Sequence, residues 1–128
     1  MLRTYMIGKI HRATVTEANR DYVGSLSVDA ELLAAAGIQP YEMVQITNVE
    51  RGSFWRTYVI PAPAGEGTIC LNGSAARWFS PGDHVIVIAS AQLDPEEAAH
   101  LSPVVVFVDD DNRIVRVART ETNLAGSR

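Results

Sequence analysis

The apolar positions of this chain fall into short, β-branched runs that are separated by Gly, Pro, Asn and Asp. Runs of this length, bounded by turn residues, predict strands in a mainly β fold. Asp110, Asp111 and Asn112 predict a hairpin turn between the last two strands. The eight predicted strands span residues 3–8, 11–17, 42–48, 54–60, 67–71, 84–90, 103–109 and 113–118.

Three short helices interrupt this strand pattern. Residues 29–36 are rich in Ala and Leu and stop at Gly37, a residue type that commonly ends helices. A second helix is predicted from Asn72, a favourable N-cap, to about Phe79. A third begins at Asp94, which is followed by Pro and then by acidic residues in the first turn.

The length of 128 residues predicts one domain, 1–128. Eight short strands favour a closed barrel, because closure removes exposed strand edges. A unit of this size buries a limited core, which favours oligomerisation. Residues 119–128 are polar and are predicted to form a frayed tail.

The charge distribution argues against two classes of partner. The net charge is −4 and the basic residues are scattered, which argues against nucleic acid and anionic membranes as main partners. The N-terminal residues lack the apolar core of a secretory signal, and no stretch approaches the ~20 apolar residues of a membrane span. These features predict a cytoplasmic protein.

The residue types that bind metals do not form a motif. Cys70 is the only cysteine, so no internal disulfide or Cys-based metal cluster can form. It lies in a short apolar run and is predicted to be a small buried hydrophobe. His11, His84 and His100 are far apart and show no ligand spacing, so no metal site is predicted.

Two strands carry polar residues that packing does not explain. Lys9 and His11 lie two positions apart, as do Arg56 and Tyr58, and Phe54 shares the parity of the second pair. Side chains two apart on a strand share a face. A cation and a phenol on such faces are suited to a small acidic ligand.

The predicted helix start at Asn72 and Gly73 adds backbone N–H groups. The first N–H groups of a helix lack intrahelical partners and favour a carboxylate or an oxyanion. By themselves these residues are a weak signal, because strand Tyr and surface Lys are common.

A set of motifs in fixed order and spacing is far more specific. Together they resemble the pyruvoyl-dependent aspartate 1-decarboxylases over roughly residues 1–118. The motifs occupy residues 3–4, 8–16, 22–25, 36–38, 57–58, 71–76 and 81–86.

The resemblance implies a six-stranded double-psi β-barrel with short appended helices and strands, assembled as a homotetramer. It also implies an activity, the decarboxylation of L-aspartate to β-alanine and CO₂ in pantothenate biosynthesis. The substrate class is therefore a small amino acid.

The resemblance further implies that the chain makes its own cofactor. Ser25 would attack the carbonyl of Gly24, and the resulting ester would eliminate and hydrolyse to a covalent pyruvoyl group at position 25. The products would be chains 1–24 and 25–128. Thr57 matches a residue whose hydroxyl assists this self-cleavage. Whether cleavage is spontaneous or needs a maturation factor stays open.

In turnover, the pyruvoyl ketone would form a Schiff base with the substrate amine and act as an electron sink. Tyr58 matches the proton donor. For His11, local hydrogen bonding and a role in the site are equally favoured interpretations. The residues that match substrate contacts are Lys9, Thr57, Asn72, Gly73, Ser74 and Ala75.

One position departs from the family. Phe54 stands where the family usually has an arginine that binds a substrate carboxylate. Arg56 lies one strand repeat away, about 6.7 Å along the chain and on the same predicted face, and is the expected substitute. Arg51, in a turn, is a second candidate. Two alternatives therefore stay open: a decarboxylase of another amino acid, and a non-catalytic barrel that serves as a binding module.

Overall fold

A period-two alternation of buried and outward residues builds the fold. The computed structural model describes residues 1–119, and the predicted mainly β architecture is confirmed. The elements in chain order are β1 (Arg3–Thr14), β2 (Glu17–Asn19), β3 (Ser25–Asp29), α1 (Ala30–Ala36), β4 (Met43–Asn48), β5 (Phe54–Ala62), β6 (Ile69–Asn72), a 3₁₀ helix (Gly73–Arg77), β7 (His84–Leu93), α2 (Pro95–Ala99), β8 (Val104–Val108) and β9 (Ile114–Ala118).

The strands form one mixed sheet in the order β2-β6-β3-β5-β4-β7-β1-β8-β9, consistent with a β-barrel. The pairs β1–β8, β2–β6 and β3–β5 are parallel, and the other neighbours are antiparallel. Buried Asn112 links segments from the two ends of this order. Its Nδ2 donates to the carbonyl oxygens of Thr14 and Gly67, at 2.8 Å each, and its Oδ1 accepts from the Thr14 N–H at 2.7 Å.

The two predicted helices with clear caps are confirmed. Asp29 caps α1 by accepting from the Glu31 N–H at 2.8 Å, and Gly37 ends it at φ 71°. Asp94 and Glu97 form a reciprocal capping box on α2. No helix within residues 1–119 is long and apolar enough to cross a membrane.

Several sequence-based boundaries are wrong. The predicted strands 3–8 and 11–17 are mostly one strand, β1. Its pairing with β7 runs from Arg3 to Thr14 and continues past two irregular places where the register shifts. The strand β3 was not predicted at all, although Ser25–Asp29 alternates between polar and apolar residues. The predicted helix 72–79 is a shorter 3₁₀ turn. Apart from Arg119, the predicted tail lies outside the described residues.

Candidate active site

Ser25 is the first residue of β3 and lies on the outer face of the sheet. Leu26 and Val28 pack in the core, so Ser25 and Ser27 point the other way. Ser25 is only 2% exposed. Its φ of 157° is close to extended backbone, so the angle itself does not indicate strain at the Gly24–Ser25 bond.

Asn72 is the cross-strand partner of Ser25 in the β3–β6 pairing. Its Nδ2 donates to Ser25 Oγ at 2.9 Å and to Ser27 Oγ at 3.0 Å. Its Oδ1 accepts from Cys70 Sγ at 3.2 Å. These four buried or half-buried residues are called the Ser25 cluster below.

The role predicted for the Asn72 side chain as a helix cap is wrong. Asn72 occupies the N-cap position, but its side chain makes no capping hydrogen bond. A cap needs the side-chain oxygen to accept a backbone N–H. Here that oxygen accepts from Cys70 instead.

Gly73 brings the start of the 3₁₀ helix directly against Gly24. A Cβ at Gly73 would lie 2.8 Å from the Gly24 Cα and 3.1 Å from its nitrogen, and the φ of Gly73 is 77°. Only glycine fits this approach. A Cβ at Gly24 itself would meet nothing within 4 Å, so the bond before Ser25 is open on that side.

Strand β5 is the parallel neighbour of the strand that begins at Ser25. The parallel β3–β5 pairing begins at Leu26 and Val59, and the positions immediately before these are Ser25 and Tyr58, then Gly24 and Thr57. Thr57 is 9% exposed and has the parity of the core residue Val59. Tyr58 therefore lies on the outer face, as Ser25 does.

The Tyr58 ring is held by a second aromatic residue. It stacks on the ring of Tyr41 with 6.2 Å between the centroids and 23° between the planes. The Tyr41 N–H also donates to the carbonyl oxygen of Val59 at 2.8 Å. Backbone pairing and ring stacking together orient the Tyr58 phenol.

The predicted shared face of Phe54, Arg56 and Tyr58 is present, and Phe54 is 51% exposed. Cross-strand pairing extends it into one row in which Arg56 opposes Gln45, Gln45 opposes Ile88, and Ile88 opposes Lys9. This set of four is called the cationic row below. Its end residues, Arg56 and Lys9, are three strand spacings apart, about 14 Å.

The sheet therefore does not bring every predicted residue together. Lys9 lies on β1, and β5, β4 and β7 separate that strand from the Ser25 strand. His11 opposes Phe107 and makes an edge-on ring contact with it at 5.4 Å, which is local packing.

Two other predicted residues have different environments. Arg51 is engaged elsewhere, since its Nε lies 3.1 Å from Asp83 Oδ2 and it donates to Ser80 Oγ at 3.2 Å. Ser74 is exposed, whereas Ala75 is buried in the core, so only the backbone of Ala75 can face a ligand.

A cavity of about 330 Å³ opens beside the Ser25 cluster. Its volume suits a small metabolite. Lining residues include Glu17, Asn19, Tyr22, Ser27, Cys70 and Asn72.

Sequence reasoning missed two members of the Ser25 cluster, Ser27 and Cys70. A usable signal was parity: Ser27 is two positions from Ser25, and Cys70 is two positions from Asn72. Cys70 is buried as predicted, but it also makes a hydrogen bond. Burial, and then the negative charge of Glu17, raise the pKa of the Cys70 thiol to about 11.

Comparison with known proteins gives a consistent result. The family model described as aspartate decarboxylase matches residues 1–115. An aspartate 1-decarboxylase of Carboxydothermus hydrogenoformans is 54% identical over 121 residues, covering 94% of this chain and 95% of that protein. One from Lactiplantibacillus plantarum is 52% identical over 121 residues, covering 94% and 93%. One from Clostridium beijerinckii is 50% identical over 123 residues, covering 96% and 99%.

Proposed function

The chain belongs to the aspartate decarboxylase family, and we propose that it decarboxylates L-aspartate to β-alanine with a pyruvoyl group made from its own Ser25. Family membership favours aspartate over another amino acid, and an enzyme over a binding module. The observation that carries the cofactor proposal is the contact of Asn72 with the Ser25 hydroxyl, together with the close approach of Gly73 to Gly24.

Self-cleavage is proposed to begin at the Ser25 hydroxyl. Its Oγ attacks the Gly24 carbonyl carbon and gives up its proton, and the Gly24–Ser25 amide becomes an ester with a new amine on residue 25. Serine is a weak nucleophile, so position and hydrogen bonding must supply the acceleration. The 2.9 Å contact from Asn72 to Ser25 Oγ, and the position of Thr57 on the parallel neighbour strand two residues before Val59, support these roles.

The second step breaks a bond within Ser25. Removal of its Cα proton expels Oγ with the bonding electrons, which leaves a Gly24 carboxylate and a dehydroalanine at position 25. Water then replaces the nitrogen of that residue, ammonia leaves, and a ketone remains. The proposed products are chains 1–24 and 25–128.

The residues fit such a group. Gly73 leaves room that a Cβ would fill, and the side-chain Nδ2 of Asn72 donates to the hydroxyl at position 25. The pyruvoyl group would supply an electron sink for the carbanion left when CO₂ departs. We assign Tyr58 as the acid that returns a proton to that carbon, supported by its place just before the pair of Leu26 and Val59 in the parallel neighbour strand and by its stacking on Tyr41.

Arg56 is the proposed partner for a substrate carboxylate. It is on the same face as Tyr58 and two positions from it, whereas Arg51 is paired with Asp83. Lys9 is proposed for the other carboxylate contact. Gly73, Ser74 and Ala75 are proposed to line the substrate, Ala75 through its backbone.

A homotetramer is part of the proposal. Three strands separate those of Lys9 and Ser25 in the sheet, and supply of one of the two residues by a second copy would let one substrate contact both. Exposed apolar side chains offer surfaces for such assembly, among them Tyr22, Val23, Tyr41, Met43, Phe54 and Trp78.

We also propose a cytoplasmic location, supported by the single cysteine, which is unbridged and buried. A maturation factor stays a proposal beside spontaneous cleavage.

The test is an intact mass spectrum under denaturing conditions. We expect fragments of 24 and 104 residues (128 − 24), the larger carrying a pyruvoyl group in place of its N-terminal serine. Ser25→Ala should give one uncleaved mass. Cleaved protein should then release β-alanine from aspartate. Activity toward a different amino acid with none toward aspartate would contradict the substrate, and fragments from Ser25→Ala would contradict the cleavage site.

A further inference from the structure

We propose that Cys70 and Ser27 are positioning residues that hold the Asn72 carboxamide with its N–H groups directed at the Ser25 oxygen. The inference rests on the proposed self-cleavage and deepens it. Neither residue touches the Gly24–Ser25 bond in this arrangement. Each acts through Asn72.

The hydrogen bonds of the Asn72 side chain fix its orientation. The two N–H groups of Nδ2 go to Ser25 Oγ at 2.9 Å and Ser27 Oγ at 3.0 Å. The oxygen accepts from Cys70 Sγ at 3.2 Å. Asn72 is 5% exposed, so leaving any of its polar groups without a partner would cost free energy.

Rotating the carboxamide by half a turn would exchange its oxygen and nitrogen. The nitrogen would then face the sulfur of Cys70, which is a weak acceptor. Ser25 would have to donate its hydroxyl proton to Asn72 instead of accepting a hydrogen bond from it. The thiol donor at position 70 favours the observed orientation, and the Ser27 hydroxyl, which can donate or accept, anchors the carboxamide in place.

Cys70 stays a donor at neutral pH. Burial of the sulfur raises the pKa of the thiol to about 11, and the negative charge of Glu17, its β2 neighbour, acts in the same direction. A thiolate could not donate to the Asn72 oxygen. The environment of Cys70 therefore preserves the proton on which the contact depends.

The orientation matters most when the Cβ–Oγ bond of residue 25 breaks. Oγ then departs with the bonding electrons as part of the Gly24 carboxylate. An N–H directed at Oγ stabilises this developing negative charge, whereas an amide oxygen there would oppose it. Weakening the hold on Asn72 should therefore slow elimination more than it slows formation of the ester.

The test compares Cys70→Ala, Cys70→Ser, Ser27→Ala and wild type, each as the full chain. Intact mass spectrometry follows cleavage after purification of uncleaved protein. We expect Cys70→Ala and Ser27→Ala to cleave roughly three- to tenfold more slowly, the effect of one hydrogen bond. Cys70→Ser keeps a donor and should remain near the wild-type rate.

Hydroxylamine adds a readout that a merely structural role would not move. It attacks an ester at Gly24 and releases residues 1–24 as a hydroxamate with an intact serine at position 25. The hydroxylamine-sensitive fraction should rise in Cys70→Ala and Ser27→Ala. Ser53→Ala is the matched control, because it removes a hydroxyl that bonds the Trp78 carbonyl oxygen at 3.0 Å, outside the Ser25 cluster.

Unchanged cleavage rates and unchanged ester fractions in Cys70→Ala and Ser27→Ala would overturn the positioning role alone. If Cys70→Ala does not fold, as judged by thermal melting, Ser27→Ala decides the question. A wild-type chain that stays uncleaved even after incubation with cell extract, which would supply a maturation factor, would overturn self-cleavage itself, and the positioning role with it.

Discussion

The Ser25 cluster and the cationic row lie on the same outer sheet face but are built differently. In the cluster, Ser25, Cys70 and Asn72 are each no more than 6% exposed and linked by side-chain hydrogen bonds. In the row, Arg56 is exposed on a strand surface. A weak nucleophile needs neighbours that fix its position. A cation that binds a carboxylate can instead sit on an exposed surface, where a substrate or a second copy of the chain can reach it.

The largest expected effect comes from breaking the packing of the cluster side. In Gly73→Ala, the new Cβ would lie 2.8 Å from the Gly24 Cα, so one backbone must move. Displacement of a reacting group by even 1 Å can cost about 100-fold in rate. We expect cleavage to slow by roughly that factor, measured from the fraction of intact chain over time.

Gly82→Ala is the matched control for this substitution. Gly82 also has a positive φ, 93°, but a Cβ there meets no atom within 4 Å. Both variants should lose about 1–2 kcal/mol of stability from the left-handed backbone, seen as lower thermal midpoints. Equal cleavage rates in the two variants would mean that the contact with Gly24 has no bearing on processing.

An intermediate effect is expected from the cationic row. Arg56→Met should raise KM for aspartate by about 10- to 150-fold, because a charge-assisted hydrogen bond contributes ~1.5–3 kcal/mol. Cleavage at Ser25 should be unaffected, and that result would sharpen the separation of the two regions. Steady-state assays of β-alanine formation on fully cleaved protein give the measurement.

Arg51→Met controls for the loss of a guanidinium. It removes the contact with Asp83, whose 3.1 Å distance marks a structural ion pair, and should leave KM near the wild-type value. If Arg51→Met raises KM and Arg56→Met does not, the assignment of the carboxylate partner is reversed.

The smallest expected effect lies in the turn that precedes the Arg56 strand. The His84 side chain, and then its backbone N–H, lower the pKa of Glu50 from 4.5 through hydrogen bonds of 2.7 and 2.8 Å. Because the folded pKa lies below the unfolded one, the stabilisation is present above about 4.5 and is lost as pH falls through the folded value.

Glu50→Gln should therefore lower Tm at pH 7 by only about 1–3 °C, since the pair is solvent-exposed. The difference between wild type and variant should vanish in acid, which melting curves across pH 3–7 would reveal. A difference that grows as pH falls would show that the carboxylate does not stabilise the fold in this way.

Alternation and caps made much of the fold predictable. The runs at 42–48, 54–60 and 84–90 lie within or close to strands β4, β5 and β7, and Asp94 caps α2 as its neighbours indicate. Strand β3 was not predicted from the sequence because it has only five residues, two of them serines. Its place between β5 and β6 depends on long-range strand pairing, which the local pattern of polar and apolar residues does not encode.

The candidate site was likewise predictable only in part. Family resemblance indicated Ser25, Tyr58 and Asn72, but it carried no information about what holds them. The hydrogen bond from Cys70 to Asn72 depends on a side chain that looks apolar in the sequence. Its direction follows from which groups are donors once the β3–β6 register has aligned them.

The interior position of β3 has a consequence for the mature molecule. Cutting after Gly24 would create a new chain end inside the sheet, between two paired neighbours, while β1 stays paired to β7 and β8 on the other fragment. The two pieces would form a split protein held by strand pairing and by the shared core, to which Ile10, Ala13 and Val15 contribute. Unfolding would then become a dissociation, with a Tm that rises with protein concentration. The uncut precursor, by contrast, would refold as one chain.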